Sequence, residues 1–63
     1  MLKRDFYQDP YNDKKVWEVV NLKGGYYLRQ YICKKQFGKG IRTTKRHLSD
    51  IGILNYCKIE FKN

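Results

Sequence analysis

A chain of 63 residues holds one domain near the lower size limit for a single apolar core. Hydrophobic residues make up 41% of it and are spread along its length, which excludes a disordered tail. Fourteen Lys and Arg against six Asp and Glu leave a formal net charge of +8, which points to a polyanionic partner and away from basic ones.

The first thirteen residues read as an irregular arm. Asp9-Pro10-Tyr11-Asn12-Asp13 is turn chemistry: proline fixes φ, and the flanking Asp and Asn can bond nearby backbone. Phe6, Tyr7 and Tyr11 are expected to lay this arm against the rest of the domain. The opening Met1-Leu2-Lys3-Arg4-Asp5 has no apolar run of signal-peptide length. No later stretch is long enough to span a bilayer, so a cytoplasmic protein without a membrane role is expected.

The compact part is expected from residue 14 onward. Val16 to Leu22 and Tyr26 to Cys33 are β-branched and aromatic, and Gly24-Gly25 lies between them, so a β-hairpin is predicted. With both glycines in the turn, Trp17 would face Ile32 and Glu18 would face Tyr31. One sheet face would carry Trp17, Val19, Tyr26, Leu28 and Ile32. The other would carry Val16, Val20, Leu22, Tyr27, Tyr31 and Cys33, with Glu18 and Arg29 diagonal among them. Neither face is clearly polar, so the pattern does not select the core.

Gln36 to Arg42 suits a continued strand, a short third strand or a glycine-containing loop. A helix is predicted over 44–51: Thr43 or Thr44 can cap it, Leu48 and Ile51 share a face, and Gly52 stands at the left-handed stop. Asn55 to Lys62 alternates as a half-buried strand should. The fold class is therefore α+β, a three-stranded antiparallel sheet (hairpin plus C-terminal strand) with one short helix.

A second reading makes Tyr26 to Phe37 a helix. Thr44-Lys45-Arg46-His47-Leu48 followed by Gly52-Ile53-Leu54 resembles the recognition helix of winged-helix regulators, and that resemblance implies a winged helix-turn-helix. The order of sheet, basic glycine turn and threonine-led helix is similar to the small arm-type DNA-binding domains of phage integrases. Alanine is absent and Lys, Tyr, Asn and Ile abound, as AT-rich coding produces, so a low-GC bacterium or its phage is the expected source.

The charge is concentrated in the middle. Residues 14–49 hold ten Lys and Arg against Glu18 alone, with Lys34, Lys35, Lys39, Arg42, Lys45 and Arg46 clustered together. Lysines on turns neutralise phosphates, glycines let backbone amides approach them, and Thr43 and Thr44 would start a helix pointing at the same place. Tyr27, Arg29 and Tyr31 alternate on one strand, a pattern that stacks bases beside a cation. The same tyrosines also suit cross-strand packing, and the same cations suit a solvated face.

Catalytic chemistry is not legible. His47 has no nucleophile at hand, since Ser49 points elsewhere on a helix, and the carboxylates show no catalytic pairing. Phe37-Gly38-Lys39-Gly40 lacks the full phosphate-loop pattern. Cys33, Cys57 and His47 lack metal-ligand spacing, so neither metal nor cofactor is expected. Both cysteines sit among apolar neighbours and are expected to be buried and reduced. Two functions stay open: a non-catalytic nucleic-acid-binding module, DNA favoured over RNA, and a small inhibitory module that docks on an acidic protein.

Overall fold

A computed structural model describes residues 3–61. It contains β1 (Lys3–Gln8), β2 (Lys15–Leu22), β3 (Gly25–Ile32), β4 (Lys35–Thr43), α1 (Lys45–Asp50), a 3₁₀ turn (Ile53–Asn55) and β5 (Cys57–Ile59). The strands form one antiparallel sheet in the order β4-β3-β2-β1-β5. The class is α+β, with five strands where three were predicted. Residues 3–8 are not an irregular arm but a strand inside the sheet, paired with β2 on one side and β5 on the other. The last strand is only three residues long, and Lys62, assigned to its outer side, lies outside the described residues, as do Met1 and Leu2. Residues 25–32 are a strand, which removes the helix that a winged helix-turn-helix requires.

The β2–β3 hairpin closes with Lys23-Gly24, not Gly24-Gly25. Gly24 supplies the positive φ, at +87°, and Leu22 pairs with Gly25. The pairing therefore slides by two residues and the predicted faces survive. Trp17 now pairs with Gln30, and Glu18 pairs with Arg29. An even slide preserves the faces because strand side chains alternate with period two.

Both faces carry buried apolar side chains. On one, Tyr7, Val19 and Leu28 form a cluster with Leu48 of α1 and Ile53, with Trp17, Tyr26 and Tyr56 around it. Thr44 caps α1, its Oγ1 accepting from the His47 amide at 3.1 Å. Gly52 stops it at φ +80° and opens the 3₁₀ turn that delivers Ile53 to the cluster. On the opposite face Val16, Val20 and Tyr31 are buried. Phe61 covers one end of that face, with ring centroids 5.3 Å from Phe6 and 5.2 Å from Tyr31.

Cys33 and Cys57 are exposed, contrary to expectation. Cys57 lies on the short edge strand β5, and Cys33 is a turn residue. Cys33 and Lys34 form the two-residue β3–β4 connection with φ of +51° and +68°, the pattern of a type I′ turn. A side chain at such a φ is strained, and glycine relieves the strain. Lys34→Gly is expected to raise stability by about 0.5–1 kcal/mol, read as an increased urea midpoint. An unchanged or lower midpoint would count against this turn geometry.

The β1–β2 connection is organised by Asp9, as its turn chemistry implied. Its Oδ1 accepts from the amides of Tyr11 (2.7 Å) and Asn12 (3.1 Å), and its Oδ2 accepts from the Trp17 indole N–H at 2.9 Å. Burial alone would push the carboxyl up. The Trp17 and Tyr11 donors, nearby Lys15 and the Asn12 amide outweigh it and hold the group below its ordinary value of 3.8. A depressed folded value makes this contribution fully present above about pH 4, and it is lost as pH falls through the lower folded value. Asp9→Asn leaves one oxygen for three donors. The variant should lose about 1–3 kcal/mol at pH 7 and show a flatter stability profile below pH 4. Parallel acid profiles for the two proteins would contradict this account.

Candidate nucleic-acid interface

Strand alternation and register divide the candidate residues between the two sides of the sheet. Arg4, Val20, Tyr27 and Arg42 are successive register partners across β1, β2, β3 and β4, so they form one row on the face opposite α1. Phe6, Glu18 and Arg29 form the adjacent row. Tyr27 and Arg29, two apart on β3, meet with the Arg29 guanidinium carbon 5.2 Å from the Tyr27 ring centroid.

Glu18 is the buried centre of this face, with 1% of its surface exposed. Its Oε1 accepts from the Tyr31 hydroxyl at 3.1 Å and lies 3.8 Å from Arg29 Nε, while its Oε2 lies 3.8 Å from Arg4 Nε. Tyr31 is thereby tied into the structure, buried between this contact and the ring of Phe61. Of the alternating pair on β3, Tyr27 is the half-exposed ring.

Lys34, Lys35, Lys39, Arg42, Lys45 and Arg46 are all exposed. Ion pairs among the described residues join Arg4 and Arg29 to Glu18 and Lys58 to Asp5, and none involves these six. Lys34 occupies the β3–β4 turn, and Lys39 occupies an irregular stretch of β4 where the register jumps between Leu28 and Gln30. Gly38 has φ +70° within that irregularity.

Gly40 has a different role. A Cβ built there would lie 2.2 Å from Tyr27 Cε2, so the tyrosine ring occupies the space that the missing side chain leaves.

No known family, curated protein or solved structure matches the chain. The site therefore rests on its own geometry.

On the side covered by α1, Thr43 pairs with Tyr26, and Lys45 lines a cleft of about 170 Å³ with Lys3, Asp5, Asn21 and Tyr26. Thr44 spends its hydroxyl on the His47 amide, and α1 has only six residues, so the helix start is a closed cap. The expected single patch over 34–46 is thus a cationic edge. Arg42 turns toward the Tyr27 face, and Lys45 turns toward the helix-side cleft. Sequence reasoning missed Arg4 and Glu18. The alternation Arg4, Phe6, Gln8 against Asp5 and Tyr7 was the signal that could have placed Arg4 on a strand.

Proposed function

We propose that this protein is a non-catalytic nucleic-acid-binding module, with DNA the first ligand to test and RNA the second. The carrying observation is the set of six exposed cations from Lys34 to Arg46, none of them ion-paired to an acid among the described residues. Charges left unneutralised along one edge strand and the following helix release counterions when they meet phosphates, and that release favours binding.

The test replaces Lys39, Arg42, Lys45 and Arg46 with alanine and titrates duplex and single-stranded DNA, and RNA, at several salt concentrations. The slope of log affinity against log salt should flatten by about 0.9 for each duplex phosphate that the variant no longer neutralises. All four side chains are exposed, so the urea midpoint should change little. An unchanged slope with unchanged affinity would leave these cations as a solvated face.

A second reading is favoured by a separate observation. Phe37 and Ile41 lie on the same edge strand and are more than half exposed, at 57% and 51%. Apolar anchors beside cations suit an acidic protein partner, the inhibitory-module alternative. Phe37→Ser with Ile41→Ser separates the two readings. It should leave the salt-dependent nucleic-acid titration intact, and it would abolish protein docking.

A further inference from the structure

We infer that the Arg4–Tyr27–Arg42 row is a binding face for single-stranded nucleic acid, with Tyr27 as its base-stacking residue. This inference rests on the nucleic-acid reading above and names the form of ligand and the side chains that receive it.

Three observations carry it. First, three arginines share one sheet face with a half-exposed ring. Arg42 is the direct cross-strand neighbour of Tyr27, Arg29 lies against the ring, and Arg4 ends the row. Second, Glu18 holds Arg4 and Arg29 from beneath. Both contacts run to Nε, so the Nη groups of each arginine are the ends left for an anion. The carboxylate neutralises part of the charge and leaves the row cationic. Third, Gly40 gives the Tyr27 ring its place, since any side chain there would collide with the ring and not with backbone. The tyrosine is positioned by a residue that contributes no atom of its own to binding.

The shape of the face selects the ligand. Neighbouring strands lie about 4.8 Å apart, so a row crossing four strands spans about 14 Å. A duplex major groove is about 12 Å wide and admits a helix or a two-stranded ribbon. A face four strands across does not enter it. A single strand can lie along the face, turning one base onto Tyr27 and placing phosphates against the arginines, because every base has a stacking surface and tolerates this mode.

The test uses the whole protein with a fluorescein-labelled twelve-nucleotide oligo-dT, a labelled duplex of twelve base pairs and a labelled twelve-residue polyglutamate. Tyr27→Leu removes the stacking surface but keeps an apolar cover over Val20. Gly40→Ala keeps the tyrosine and displaces its ring, and Trp17 fluorescence in urea verifies that each variant is folded. Oligo-dT affinity should fall by about tenfold or more in Tyr27→Leu and by several-fold in Gly40→Ala, while any duplex affinity changes by less than about twofold. Arg42→Gln should weaken oligo-dT binding and flatten its salt slope by about 0.7.

Parent protein that binds neither oligonucleotide, nor a labelled twelve-nucleotide oligo-U, overturns both this inference and the nucleic-acid reading. Parent protein that binds both strands through the edge cations, with Tyr27→Leu and Gly40→Ala unaltered, overturns this inference and leaves that reading standing. Polyglutamate bound as tightly as oligo-dT, with the same dependence on Tyr27, would assign the face to an acidic peptide.

Discussion

Leu48→Ala is expected to destabilise the protein by about 3–4 kcal/mol and to leave much of it unfolded at 37 °C. Leu48 has 0% of its surface exposed and is the buried residue of α1. A six-residue helix has no stability of its own, because nucleation is costly and few hydrogen bonds follow it. It stays folded by inserting Leu48 between Tyr7, Val19, Leu28 and Ile53. A domain of this size has a total stability of about 3–9 kcal/mol, so the loss is comparable to the whole. Urea unfolding followed by Trp17 fluorescence measures it. A loss below about 1 kcal/mol would mean that α1 is not held by this side chain.

Glu18→Ala should cost about 2–3 kcal/mol and at the same time strengthen binding to polyanions at low salt. The substitution opens a void in the centre of the sheet and strips the Tyr31 hydroxyl of its acceptor. It also leaves Arg4 and Arg29 without their counter-charge. The electrostatic part is reduced by solvent, since the Arg4 side chain is 56% exposed and that of Arg29 33%. Tyr31→Phe isolates the hydroxyl contribution, and the double-mutant cycle with Glu18→Ala should show a coupling of about 1 kcal/mol. Stability and affinity that fell together would indicate that Glu18 positions the arginines for the ligand more than it neutralises them.

The parts of the fold written in local chemistry were legible in the sequence. Thr44 and Gly52 bracket α1 because a cap and a left-handed stop depend only on neighbouring backbone. The hairpin's two faces follow from strand alternation, although the turn lay one residue earlier than the glycine pair suggested. Residues 3–8 were not legible, because Lys3-Arg4-Asp5 is polar and the segment is a strand by virtue of partners on both edges. Cys33 misled for a related reason. Its apolar neighbours predict burial, whereas the turn that closes β3 onto β4 falls on it. The candidate site divides in the same way. Tyr27 and Arg29 were visible from spacing on one strand, whereas Arg4 and the contact of Glu18 with both arginines depend on a register between distant segments.

The position of β1 shapes how the chain must be assembled during synthesis. It is made before β2, yet its other edge is satisfied only by β5, dozens of residues later. At about 5–20 residues per second, several seconds pass before the chain can complete that ladder. During that interval the meander β1–β4 has open edges at both ends and an apolar face that Leu48 and Ile53 have not yet covered. The nascent protein is therefore most liable to mispairing once β4 has emerged and before residues 48–59 follow, and its lysines serve it then by repelling other copies of itself.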